Sequence, residues 1–303
     1  MGSPFLAIAA ATPRALRRLA LVVAALAGLM AVSAPAAAQG EALSPRLLDA
    51  VVKVEAKVPP DARSAATLGT EREGSGALID NDGLIVTIGY LVMEASEVSV
   101  TIGGRRVPAS VVAYDYDTGF GLLRALAPPG VRPLELGSSA ALEEREPVLA
   151  AGFGGPDGAV GALVVSKRRF AGYWEYMLDE AIFTAPPHPV FGGAALIDRG
   201  GRLVGVGSLV VPDAVEGAQL PGNMFVPIDL LKPILADLLA SGKADRARRP
   251  WLGVWSQESF GRVLISRVFE AGPAAAAGLA AGDLVLAVAG EPVTSLAAFY
   301  GRL

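Results

Sequence analysis

No cysteine occurs in the 303 residues, and histidine occurs once. The first absence excludes disulfides, thiolate metal sites and a cysteine nucleophile. The second excludes a multi-histidine zinc or iron centre, so no metal or cofactor is expected. A mechanism that needs a histidine base has one place to put it, His188. Basic charge is scarce as well: 26 Lys and Arg stand against 30 Asp and Glu, a formal net charge of -4. Sequence-independent nucleic-acid binding, which needs a basic stripe to displace counterions, does not fit that balance. What the chain has is apolar material, 52% hydrophobic against 18% charged residues, enough for buried cores and too much for a disordered chain. Gly 36 and Pro 22 together stay below the ~25–30% of a low-complexity chain. At ~150 residues per domain, the length predicts about two domains.

Arg14, Arg17 and Arg18 precede an apolar run from Leu19 to Val32, followed by Ser33-Ala34-Pro35-Ala36-Ala37-Ala38. A positive flank, a short apolar segment and an A-x-A site predict a secretory signal peptide over residues 1–38, cleaved after Ala38. The alternative is an uncleaved anchor in the inner membrane, for which the apolar stretch is marginally long. Three basic residues and no acid lie in that segment, leaving 23 against 30 in an acidic mature chain. The expected location is periplasmic or secreted, with membrane contact only through an uncleaved N-terminus.

From Glu73 to about Pro227 short strand patterns alternate with turn signals. Gly76–Ile79 and Leu84–Thr87 flank Asp80-Asn81-Asp82-Gly83, a hairpin turn. The same tetrapeptide resembles the start of a calcium loop, but the later liganding Glu is missing. Val98, Val100 and Ile102 alternate with polar residues before Gly103-Gly104, and Leu196-Ile197 and Leu203–Val206 flank Arg199-Gly200-Gly201. Many short strands at this spacing predict an all-β sandwich or barrel. One helix closes the unit, with Asp229 as N-cap, Leu231, Ile234, Leu235, Leu238 and Leu239 as its apolar face, and Gly242 as its stop. The expected organisation is a body over 39–242, a polar linker over 243–250 and a tail module over 251–303.

The order of these segments resembles the HtrA/DegP family of exported trypsin-like serine proteases followed by a PDZ domain. The landmarks are Gly74-Ser75-Gly76-Ala77-Leu78-Ile79-Asp80, Leu84-Ile85-Val86-Thr87, Val111-Val112-Ala113-Tyr114-Asp115, Leu134-Glu135-Leu136-Gly137-Ser138-Ser139 and Asn223-Met224-Phe225-Val226-Pro227-Ile228. The resemblance implies a mainly β chain: a trypsin-like double six-stranded β-barrel with the active site between the barrels, then a PDZ domain.

At the three catalytic positions the chain departs from the family. The histidine of a T-N-x-H-V-V segment is replaced by Tyr90, and the aspartate of T-D-x-A-x-L by Gly119. Aligned without gaps, the serine of N-P-G-N-S-G-G-P-L falls on Gly192; a one-residue gap places Phe191 there. A tyrosine with pKa ~10 is a poor base near neutrality. Val190 replaces the glycine two residues before the nucleophile, and a β-branched residue disfavours the positive φ that shapes an oxyanion hole. Pro186, Pro187 and Pro189 stiffen the loop. His188 could form a rebuilt dyad with Thr184 or Ser208, against a plain reading as a residue that hydrogen-bonds its own turn. Asp115 and Asp117 lie close to the lost aspartate, and Tyr173, Trp174 and Tyr176 form an aromatic group that either packs or lines a surface.

In the tail, Trp251-Leu252-Gly253-Val254 looks like the x-Φ-G-Φ loop of a PDZ domain, whose consecutive N–H groups take a peptide C-terminal carboxylate. Ser295 to Leu303 would start the helix forming the groove's other wall. At 53 residues the module lacks its expected final strand, which predicts a fragment, a partial fold or completion by a partner. The resemblance therefore implies a degenerate protease body that binds protein C-termini or unfolded polypeptide, as scaffold, sensor or chaperone-like factor in envelope quality control. Its rivals are an active periplasmic endopeptidase with relocated residues and a regulatory subunit in homo- or hetero-trimers with HtrA paralogues.

Overall fold

The computed structural model describes residues 44–303 apart from Arg248, so the expected export segment lies outside the described residues. Six strands, β1 (Val51–Lys57), β2 (Glu71–Leu78), β3 (Leu84–Ile88), β4 (Glu97–Ile102), β5 (Arg105–Tyr114) and β6 (Phe120–Ala125), close a barrel in the order β1-β2-β3-β6-β5-β4. A second barrel follows from β7 (Pro147–Ala151), β8 (Ala159–Gly172), β9 (Tyr176–Ala185), β10 (Ala195–Ile197), β11 (Leu203–Val211) and β12 (Gly222–Pro227), in the order β10-β11-β12-β9-β8-β7. Closure pairs every strand on both edges, which removes the exposed edges that an open antiparallel sheet would present.

The strand ends obey local chemistry. Asp80 Oδ1 accepts from the N–H groups of Asp82 (2.9 Å) and Leu84 (2.7 Å), folding the chain back from β2 to β3, and Arg124 braces the same carboxylate. β3, apolar except for Thr87, is buried at every position, whereas β5 alternates between core and solvent. One cluster draws Leu78, Ile85 and Phe120 from the first barrel and Phe183, Ile197 and Val226 from the second. Val148, Ile182, Leu196 and Phe225 fill a further cluster inside the second barrel. Burying each such side chain contributes ~1.5–3 kcal/mol.

The single closing helix expected from Asp229 is divided. A 3₁₀ turn spans Ile228–Leu230, and the α-helix proper is Leu235–Ser241. Pro233 stands between them and has no N–H to give an earlier carbonyl. Asp229 therefore caps no α-helix. Its carboxylate accepts from Ser138 Oγ (3.0 Å) and Ala140 N–H (2.8 Å) and pairs with Lys232, tying the end of the second barrel to the loop before β7. Leu231 and Leu238 are buried as expected, but Leu239 is 42% exposed because the helix starts later and turns that side outward. Gly242, at φ 73°, ends the helix as expected.

Asp229 offers a pH prediction. Burial pushes its carboxyl pKa up, but Lys232 and the donors at Ala140, Ser138 and Ser139 outweigh burial and lower it to about 2. The unfolded value is ~3.9, so this contribution is full above that pH and is lost as pH falls toward the folded value. Asp229→Asn should destabilise the protein by about 1 kcal/mol near neutrality, the exposed side of Lys232 limiting the effect. Urea melts should show the gap to the unmodified protein closing on acidification from pH ~4 to pH ~2.

Beyond Gly242 the chain forms a three-stranded sheet of β13 (Val254–Ser259), β14 (Arg262–Val268) and β15 (Leu284–Val285), with β13 at its edge. A ribbon of β16 (Ala287–Val288) and β17 (Glu291–Pro292) follows. Pro273–Ala276 and Leu296–Tyr300 are short helices, the second capped by Ser295, whose side chain accepts from Ala298 N–H. Val254, Val263, Ile265, Leu296 and Phe299 make the small core here, and Met177 of β9 joins them. Among the described residues no helix is long and apolar enough to cross a membrane.

Candidate active site and peptide groove

Tyr90 sits on the 3₁₀ turn Gly89–Leu91 that follows β3. Arg72, only 6% exposed, holds this turn by donating to the carbonyls of Tyr90 (2.8 Å) and Met93 (2.9 Å). The ring of Tyr114 occupies the space that a side chain at Gly89 would need. Tyr90 reaches across to the second barrel and donates its hydroxyl to Ser208 O (2.9 Å). That carbonyl is free because the register of β11 against β12 shifts between Gly207 and Leu209, and a bulged residue leaves the ladder. Burial pushes the Tyr90 phenol well above its ordinary value. At neutral pH it is a protonated donor already committed to a carbonyl.

Gly192 faces it. A Cβ built on Gly192 would stand 2.9 Å from the Tyr90 hydroxyl oxygen, and Gly192 O accepts from Ser75 N–H of β2 (2.8 Å). Gly119, at φ 81° in the turn before β6, joins the same neighbourhood through its backbone, its carbonyl accepting from Gly89 N–H (2.7 Å). Tyr90, Gly119 and Gly192 thus come together at the junction of the barrels without a nucleophile, a free base or a carboxylate among them. Asp115 and Asp117 are engaged elsewhere: Arg246 of the linker binds both oxygens of Asp115 (2.8 and 2.7 Å) and reaches Asp117 (2.9 Å).

The loop before Gly192 is stitched inward. His188 is 2% exposed, and its Nδ1 accepts from Val190 N–H (2.9 Å). That contact puts the proton on Nε2, which donates to Gly158 O (2.7 Å). Asn223, fully buried, accepts from His188 N–H and donates to His188 O. The ring serves its own turn, and neither Thr184 nor Ser208 is among its hydrogen-bond partners. Val190 does not adopt a positive φ, and its N–H is spent on the ring of His188 instead of pointing at a substrate oxygen. Phe191 O accepts from Ala194 N–H (3.1 Å), and Gly193 N–H donates to Gly207 O (2.8 Å).

The loop Trp251-Leu252-Gly253-Val254 does form a cradle of N–H groups, Gly253 at φ 80° turning the chain so that successive donors converge. The carboxylate of Glu175, from the β8–β9 hairpin, accepts from Leu252 (2.8 Å), Gly253 (2.7 Å) and Val254 (2.7 Å). Trp251 is half exposed and packs on Phe269. Trp174 stacks on Tyr176 with centroids 5.6 Å apart, and Tyr173 packs edge-on against Trp255 (5.3 Å), so the aromatic group is packing that extends into the tail module. Glu175, Arg246 and Asn223 escape sequence reasoning. No motif marks Glu175 or Arg246, whose partners lie 77 to 131 positions away, and the landmark containing Asn223 gives no sign of its bond to His188, 35 positions earlier.

Two closed six-stranded barrels meeting at this junction, followed by a sheet and helix with an N–H cradle, define a trypsin-type protease body joined to a PDZ module. Residues 74–206 match the trypsin-like peptidase domain family and residues 264–302 the PDZ domain family. A probable periplasmic serine endoprotease DegP-like from Pseudomonas fulva is 30% identical over 79% of this chain and 52% of its own length. Serine protease PepD from Mycobacterium tuberculosis is 30% identical over 81% of this chain and 58% of its own. The chain therefore spans somewhat over half the length of these curated relatives. The solved HtrA-type protease AlgW with a tripeptide shares the fold at a TM-score of 0.54 and 19% identity, over 86% of each chain. The chain belongs to the HtrA/DegP-like family of trypsin-fold proteins carrying a PDZ domain.

Proposed function

We propose that this protein is an exported, catalytically inactive HtrA/DegP homologue that binds polypeptide C-termini or unfolded segments through its PDZ groove. Its role is that of a scaffold, sensor or chaperone-like factor in envelope protein quality control. The observation that carries this reading is the pair Tyr90 and Gly192: a protonated phenol whose O–H donates to Ser208 O faces a residue without a side chain. Serine-protease chemistry needs a nucleophile and a base within hydrogen-bond reach, and donors aimed at the developing oxyanion. The capture of Val190 N–H by His188 supports the same reading, because the residual catalysis of a broken triad depends on those donors. Periplasmic location rests on the signal-like N-terminus and on relatives named as periplasmic. Assembly with an active paralogue is a further role compatible with this chemistry.

The relatives are named as proteases, so the decisive experiment is direct. The purified protein, incubated with a fluorophosphonate probe and with labelled casein, should show neither labelling nor cleavage above background. Gly192→Ser should gain neither activity, since one hydroxyl facing Tyr90 has no base. Labelling of one serine or threonine in the unmodified protein would overturn the proposal and identify a relocated nucleophile.

A further inference from the structure

The PDZ cradle already holds a carboxylate. Three consecutive N–H groups converge on the Glu175 side chain at 2.7–2.8 Å, and among the described residues no basic side chain shares it. Recognition by backbone N–H groups alone suits a carboxylate of any origin, a chain terminus included. The mimicry extends beyond the carboxylate. Ser256 N–H on the edge strand β13 donates to Tyr173 O (2.8 Å), a strand-addition contact of the kind a bound peptide makes. Glu175 N–H donates to the hydroxyl of Tyr300 on the opposite wall (3.3 Å), and Met177 places an apolar side chain among Val254, Ile265, Leu296 and Phe299. Glu175 itself sits at φ 58°, the left-handed position that a three-residue hairpin turn such as Tyr173–Glu175 places before its second strand.

From this geometry we infer that the hairpin Gly172–Tyr176 is an internal pseudo-ligand. Glu175 occupies the site of a peptide C-terminus and must be displaced before one can bind. The inference rests on the peptide-binding reading above and adds its regulation. Ligand binding is then coupled to release of the β8–β9 hairpin, so an arriving chain end loosens the PDZ module's hold on the second barrel. An intramolecular competitor lowers the apparent affinity by the fraction of molecules whose cradle is free.

The test uses the whole protein and fluorescein-labelled decapeptides ending in Val, Leu or Phe, each as the free acid and as the amide. Glu175→Ala should bind at least one free-acid peptide about tenfold or more tightly than the unmodified protein, with the amides bound by neither. Glu175→Gln, which keeps the side chain's length and loses its charge, should fall between the two. Hydrogen exchange supplies an independent readout: the amides of Leu252, Gly253, Val254 and Ser256 should be protected in the unmodified protein and exchange faster in Glu175→Ala. Equal peptide affinity in the two proteins would overturn the occlusion and leave peptide binding standing. Absence of binding by Glu175→Ala with its cradle amides exposed would overturn peptide binding itself, and with it the inference. Equal exchange in both proteins would show that the cradle is not occupied in solution.

Discussion

Gly193→Ala should be among the most damaging single-methyl additions in this chain, lowering stability by about 3–5 kcal/mol. Two separate costs combine. Gly193 holds φ 74°, where an alanine is strained by about 1 kcal/mol. A Cβ there would also fall inside the contact distance of Ser75 O, a backbone atom fixed in β2, and 2.5 Å from Thr87 Oγ1. Ser75 has little freedom to yield: its N–H donates to Gly192 O, its carbonyl accepts from Thr87 Oγ1 (2.6 Å), and its hydroxyl accepts from Phe153 N–H (3.0 Å). The control is Gly104→Ala, at φ 79° with nothing within 4 Å of the added methyl, which should lose only the conformational part. Thermal melts of the two variants separate the costs, at ~2–4 °C per kcal/mol for a protein of this size. Equal losses would mean that the seam between Gly193 and Ser75 is looser than described.

Arg246→Ala carries the second large effect, about 2–4 kcal/mol. Asp115 is 7% exposed, and without Arg246 it keeps only the N–H (3.0 Å) and hydroxyl (2.6 Å) of Thr118 as partners. A buried carboxylate stripped of its cation is costlier than the pair was favourable, because desolvation is no longer offset. Arg246→Lys should recover part of the loss, since an ammonium supplies charge but not the fork that spans Asp115 and Asp117. Urea unfolding of both variants measures this. A midpoint unchanged in Arg246→Ala would show that the linker is not clasped to the first barrel, and Arg246 would revert to an ordinary surface charge.

Where local chemistry governs, the reading of the sequence and the structure agree. The Asp80–Gly83 turn, the alternation of β4, the helix starting at Ser295 and the Gly242 stop each depend on residues a few positions apart, and each stands where expected. Asp229 shows where that reasoning stops. An acidic residue before an apolar period looks like an N-cap, but Pro233 breaks the helix and Ser138 and Ala140, about 90 residues earlier, claim the carboxylate. His188 shows the same limit from the other side. Its neighbours in sequence left open whether it would serve a dyad or its turn, and contacts with Gly158 and Asn223 decide for the turn.

Strand patterns and turn residues alone implied an all-β body followed by a separate tail module; the resemblance to the HtrA/DegP family added the two barrels and the PDZ domain and singled out Tyr90, Gly119 and Gly192 as the altered catalytic positions. Strand periodicity, turn residues and motif spacing are properties of neighbouring positions, and they survive in a single chain. What fills each site was decided in three dimensions. The commitment of the Tyr90 hydroxyl depends on a bulge at Ser208, the fate of Val190 N–H on a histidine ring, and the occupancy of the PDZ cradle on a hairpin 77 residues away from Leu252. The Tyr90 and Glu175 bonds join groups 118 and 77 residues apart, and the His188 ring, though only two residues from Val190, is held there by Gly158 O, 30 residues earlier, so folding decides all three.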